Sequence, residues 1–191
     1  MKKVIIIGAS GSLAFEVIQS LKQSNDVKLT LFVRNKNRLS ASLLKDCSIV
    51  EGDAMNYDTV KNAITGNDIV YENLAGNLET MTNNIVKAMN ETGVKRIIAI
   101  SSIGIYEIPL KSVLQPYRKL ADIIEGSNLD YTILRPDWFT NANEVDYIVT
   151  NKGTKEIGTA VSRKSIATFI STIIKNPSMY LRENLGISKP N

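Results

Sequence analysis

Val4-Ile5-Ile6-Ile7-Gly8-Ala9-Ser10-Gly11-Ser12-Leu13-Ala14 carries a strand-like apolar tetrad through two closely spaced glycines into a helical pattern. Gly8 permits a tight turn off the strand, and Gly11 lets the backbone come close to a diphosphate. Ala14 is the third small position, where helix must pack closely on strand. The N–H groups that open the helix lack backbone partners and sit at its positive end, so they form a seat for negative charge. Glycines can also serve turn geometry alone. The strand before and the helix after favour a dinucleotide site. On that reading Gly8, Ser10, Gly11, Ser12 and Leu13 hold the pyrophosphate.

The rest of the chain repeats this alternation. Strands are expected at Lys3–Ile7, Lys28–Val33, Ser48–Glu51, Ile69–Tyr71, Arg96–Ser101 and Tyr131–Leu134. Helices are expected at Ser12–Gln23, Tyr57–Ala63, Leu78–Thr92, Leu114–Glu125 and Lys164–Lys175, the last capped by Ser162 and stopped before Asn176-Pro177. Strands alternating with helix-length segments make βαβ units and a parallel sheet. Several strands are apolar almost throughout, as they must be when helices cover both faces. The expected architecture is α/β, a Rossmann-type doubly wound parallel sheet in a three-layer αβα sandwich, with strand order 3-2-1-4-5-6. One domain is expected over 1–191, with a small substrate-side lobe around 136–160, where periodicity is weak.

At the end of the second strand, Leu31-Phe32-Val33 runs into Arg34-Asn35-Lys36-Asn37-Arg38. A site for NAD wants a carboxylate there for the ribose 2′-hydroxyl, whereas a site for NADP wants an arginine. No acid is present. Arg34 can form a charge-assisted fork with a 2′-phosphate, with Arg38 or Lys36 adding to it. NADP(H) is therefore expected in preference to NAD(H). After the third strand comes Glu51-Gly52-Asp53-Ala54. Asp53 either accepts from an adenine amino group, with Ala54 or Met55 beside the ring, or forms a turn.

Composition removes several chemistries. The 191 residues include no histidine, which excludes a Ser-His-Asp triad, a Cys-His pair and a His-ligated metal. Asp58, Asp68, Asp122 and Asp146 form no close-set cluster and read as caps and surface, so no metal site is expected. The single cysteine, Cys47, cannot form an internal disulfide and precedes a buried-looking strand, which reads as inert. The formal net charge is +4, but the 23 basic residues are scattered. That pattern suits a polyanionic small molecule better than nucleic acid. No apolar run approaches membrane-spanning length. No secretion signal is read at the N-terminus, so the chain is expected to be cytoplasmic.

Together, Ile7-Gly8-Ala9-Ser10-Gly11, Phe32-Val33-Arg34-Asn35, Gly52-Asp53, Ile100-Ser101-Ser102 and Leu129-Asp130-Tyr131-Thr132-Ile133-Leu134-Arg135-Pro136 resemble the atypical short-chain dehydrogenase/reductases. The resemblance is to the small NmrA-like, NAD(P)H-binding branch, whose members are labelled NADH-flavin reductases or biliverdin reductase B-like. It covers most of the chain, and the Asp130–Pro136 segment is its most particular part. It implies that Asp53 serves adenine, that Ser102 and Ser101 lie near the nicotinamide, and that the loop Asn73-Leu74-Ala75-Gly76 borders the cofactor.

One departure shapes the expected chemistry. Catalytic members pair a proton-donating tyrosine with a lysine four residues on. Tyr117 is suitably spaced after Ser102, yet Ala121 occupies the lysine position. Lys119 lies about 200° round the helix from Tyr117. Tyr106 is followed at the same offset by Leu110. Carbonyl reduction needs a proton delivered with the hydride, whereas a reduced flavin or quinone takes its proton from solvent. The expected function is therefore NADP(H)-dependent hydride transfer to a flavin-like or quinone-like acceptor, with Ser102 and Tyr117 at the reacting end. The rival is a non-catalytic redox sensor that binds the dinucleotide and regulates a partner. Trp138 and Phe139 either wall a planar acceptor or, more in keeping with large aromatics, pack inside the lobe.

Overall fold

Val4, Ile5, Ile6 and Ile7 are each 0% exposed, so the first strand is covered on both faces. The computed structural model describes all of residues 1–191. The first half of the chain runs β1 (Lys2–Ile7), α1 (Ser12–Lys22), β2 (Val27–Val33), α2 (Ala41–Asp46), β3 (Ser48–Glu51), α3 (Tyr57–Ile64), β4 (Ile69–Glu72) and α4 (Leu78–Thr92). The second half runs β5 (Arg96–Ile100), α5 (Gln115–Glu125), β6 (Asp130–Pro136), β7 (Phe139–Thr140), β8 (Ile148–Asn151), β9 (Val161–Ser162), α6 (Arg163–Lys175) and β10 (Glu183–Ser188).

The main sheet has the order β3-β2-β1-β4-β5-β6-β10-β8, parallel except for β8. The expected order 3-2-1-4-5-6 is present and is extended by two strands. Alternate residues of β1 face opposite layers, as strand geometry requires. Val4 and Ile6 join a core built with α1, α2 and α6, whereas Ile5 and Ile7 join one built with α3, α4 and α5. Each such aliphatic side chain contributes about 1.5–3 kcal/mol through burial. The result is a three-layer doubly wound sandwich.

Helix ends follow local chemistry. Asn56 caps α3 by accepting from the Thr59 N–H at 3.0 Å. Ser162 caps α6, accepting from the Ser165 N–H at 2.9 Å. The stretch from 136 to 160 divides in two: β7 pairs with β9 in a small separate ribbon, while β8 closes the edge of the main sheet. No helix is long and apolar enough to cross a membrane.

One carboxylate interrupts the apolar interior. Glu72, the last residue of β4, is 0% exposed and accepts from the Thr82 hydroxyl at 2.7 Å, while its other oxygen has no partner. Burial pushes its carboxyl up to about 7, against about 4.3 in an unfolded chain. Between those values the folded state holds the proton more tightly. Stability from this group is therefore full at acid pH and falls as pH rises through the window. Glu72→Gln keeps the acceptor for Thr82 and removes the charge. It should raise stability by about 3 kcal/mol at pH 8 and by less than about 1 kcal/mol at pH 4.5, measured by urea unfolding at both. A gain of equal size at both pH values would refute the ionisation argument.

Candidate functional site

The sheet order reverses between β1 and β4. A cleft of about 1110 Å³ opens there, over the carboxyl ends of the parallel strands, which is where open α/β sheets bind ligands. Gly8 forms its floor at φ +91°, and a Cβ there would lie 2.1 Å from the Asn73 carbonyl oxygen. Only glycine lets the turn after β1 pass the loop after β4. At Gly11 a Cβ would lie 2.7 Å from the Asn73 amide nitrogen. Gly11 is also the N-cap of α1, in extended backbone and with no side-chain cap. The N–H groups of Ser12, Leu13 and Ala14 therefore remain unclaimed by the protein. A narrow glycine cradle with free donors at a helix start fits a diphosphate.

Arg34 follows β2 directly. A 3-10 turn over Lys36–Arg38 is set by the Asn35 side chain, which accepts from the Asn37 N–H at 2.9 Å. This brings Arg38 to the same cleft wall as Arg34. Neither guanidinium is paired with a carboxylate. Two unneutralised cations at the end of β2 fit an additional phosphate. Asp53 does form the turn: its Oδ1 accepts from the Met55 N–H at 2.9 Å, beside buried Ala54. Both line the cleft, as do Leu74, Ala75 and Gly76 on the opposite wall.

At the other end lie Ser101, Ser102 and Tyr117. The Ser101 hydroxyl donates to the Tyr117 carbonyl at 3.0 Å, tying β5 to α5. The Ser102 hydroxyl donates to the Ile103 carbonyl at 3.1 Å, leaving its lone pairs free. Every residue assigned to the site from sequence thus lines one cleft. One expectation changes. Trp138 is not packed in a lobe but 82% exposed at the cleft, with Phe139 39% exposed beside it. Tyr106 faces away: its hydroxyl donates to Glu125 at 3.3 Å and accepts from Asn184 at 2.8 Å.

The structure also adds residues that local pattern does not signal. Val113, Glu107 and Lys111 also line the cleft. Beneath it, Arg135 is 1% exposed and donates to Glu156 at 2.7 Å. The other Glu156 oxygen accepts from the Gly104 N–H at 3.1 Å. Through the half-buried Glu156, the buried guanidinium fastens β6 to the loop after β5, a positional role that suits such pairs better than net stabilisation. Cys47 is half-buried against the core of α1, and burial pushes its thiol up.

Residues 8–177 match the family described as NAD(P)H-binding. The chain belongs to the NAD(P)H-binding family. Among solved structures it is similar to a Rossmann-fold NAD(P)-binding family protein from Shigella flexneri, at 41% identity and TM-score 0.92, covering 100% of this chain and 95% of that one. It is also similar to a short-chain dehydrogenase/reductase from Veillonella parvula solved in complex with NADP, at 26% identity and TM-score 0.90, again over 100% and 95%. A curated relative, the UPF0659 protein YMR090W of Saccharomyces cerevisiae, is 22% identical over 99% of this chain and 94% of its own length. Membership accords with the glycine cradle and the free helix start. The Rossmann fold of the NAD(P)-binding oxidoreductases is thereby established.

Proposed function

We propose that this NAD(P)H-binding protein is an NADP(H)-dependent reductase that passes hydride to a planar flavin-like or quinone-like acceptor. One observation carries the reading: no lysine stands one turn beyond Tyr117, and Val113 and Trp138 form an exposed apolar wall in the same cleft. Val113 is 70% exposed and Trp138 82% exposed. The residue one turn beyond Tyr117 is Ala121, 0% exposed. The nearby cations each face a carboxylate, Lys111 with Glu107 at 3.9 Å, Arg118 with Asp122 at 2.7 Å and Lys119 with Glu79 at 3.8 Å. An acceptor whose product draws its proton from water suits this wall.

The bound nicotinamide supplies the hydride. The protein's part is to bind, orient and exclude water. The free N–H groups of α1 neutralise the diphosphate, Arg34 and Arg38 select the 2′-phosphate, and Trp138 offers a face for stacking. Steady NADPH oxidation with FMN or menadione, well above the enzyme-free rate and absent with simple aldehydes, is the expected result. Tight NADPH binding without turnover on any planar acceptor would instead make the protein a sensor. Aromatic stacking contributes about 0.5–1.5 kcal/mol. Trp138→Ala should therefore raise the acceptor KM about three- to tenfold while NADPH affinity is unchanged, read from initial rates and calorimetry. A KM equal to that of the parent protein would remove Trp138 from the acceptor wall.

A further inference from the structure

Arg163, the first residue of α6, touches both halves of the cleft at once. Its Nε donates to the Ser12 hydroxyl at 3.0 Å, joining residues 151 positions apart. Its Nη1 donates to the Asn141 side-chain oxygen at 2.7 Å and to the Thr140 carbonyl at 3.3 Å. The guanidinium carbon lies 5.1 Å from the centre of the Phe139 ring. No carboxylate pairs with it. A cation in the first turn of a helix also opposes the helix dipole, and α6 has no acidic residue there to offset it. A compensating role is therefore to be sought in what the side chain holds.

Ser12 supplies the clue. Its oxygen accepts from Arg163, while its own proton has no acceptor in the protein. A hydroxyl that accepts from a cation is polarised into a stronger donor. Ser12 lines the cleft beside the unclaimed N–H groups that open α1, and the ligand class that takes such a proton is an anionic oxygen.

We propose that Arg163 is a positioning residue with two tasks. Through Ser12 it strengthens recognition of the diphosphate, and through Phe139, Thr140 and Asn141 it holds the acceptor wall against the dinucleotide. The first task concerns the diphosphate common to both nicotinamide nucleotides, so it is blind to the 2′-phosphate. This rests on the dinucleotide reading of the cleft.

The test is calorimetric titration of NADP+ and NAD+ into the parent protein, Arg163→Met, Ser12→Ala and the double variant. A lost charge-assisted hydrogen bond should weaken both nucleotides by the same factor, about tenfold. The double variant should be no more than about twofold weaker than either single one, because both remove the same relay. Parent-like affinity in Arg163→Met, losses that multiply in the double variant, or a loss confined to NADP+ would each overturn the proposal. If Arg163→Met does not fold, Ser12→Ala decides alone, since it leaves the Phe139 contact in place. Parent-like affinity there would also overturn it. A parent protein that binds neither nucleotide would sink the dinucleotide reading itself, a result readily told apart from failure of the Arg163 variants alone.

Discussion

Replacing Arg34 by alanine should weaken NADP+ ten- to a hundredfold while changing NAD+ affinity less than about twofold. Arg34 stands at the end of β2, the position from which a ribose 2′ substituent is read in this fold. Its guanidinium is exposed, lines the cleft and has no carboxylate partner, so its removal leaves no buried group stranded. A charge-assisted fork to a phosphate contributes about 1.5–3 kcal/mol. Arg38 remains on the same wall and softens the loss. Because the pair is solvated, the discrimination should shrink as salt rises, with screening over about 8 Å at physiological ionic strength. Arg34→Lys keeps the charge and loses the fork, and it should recover only part of the affinity. Calorimetry with both nucleotides at two salt concentrations provides the measurement. Equal losses for NADP+ and NAD+ would place the 2′-phosphate elsewhere.

The part of the cleft proposed to hold the dinucleotide is legible in the sequence because its parts are local. Gly8, Gly11 and Arg34 act through backbone freedom or charge at fixed offsets from a strand end, and those offsets are visible in the chain. What stays hidden depends on partners far away in sequence. Arg163 meets Ser12 across 151 residues, and Arg135 meets Glu156 and Asn184 across 21 and 49. No periodicity encodes such pairs. The strand β10 escapes a sequence reading for a related reason. Glycine within a run usually weakens a strand, yet a Cβ at Gly186 would lie 2.3 Å from the Thr150 hydroxyl, so the Thr150 side chain of β8 occupies the space that the missing side chain leaves. The short helix α2 buries only Leu43 and so leaves no amphipathic pattern to read. Trp138 reads as core in the sequence because large aromatics usually are. Its exposure marks a surface that the fold keeps open.

Gly8→Ala should cost about 3–5 kcal/mol of folding stability and abolish nucleotide binding. Two penalties act together. A side chain at φ +91° is strained wherever it sits, and here the new methyl would lie 2.1 Å from the Asn73 carbonyl oxygen. Neither backbone can yield readily. Gly8 donates its N–H to the Phe32 carbonyl at 3.2 Å, and Asn73 donates its N–H to the Ile7 carbonyl at 2.9 Å. Relieving the clash would pull apart the pairing of β1 with β2 or with β4 at the centre of the sheet. Gly66 separates the two penalties, because it has φ +78° and a Cβ added there would meet nothing within 4 Å. Gly66→Ala should lose only the conformational part, about 1 kcal/mol. Urea unfolding of both variants measures the difference. If Gly8→Ala were no less stable than Gly66→Ala, the close passage of the two loops would not be what fixes this glycine.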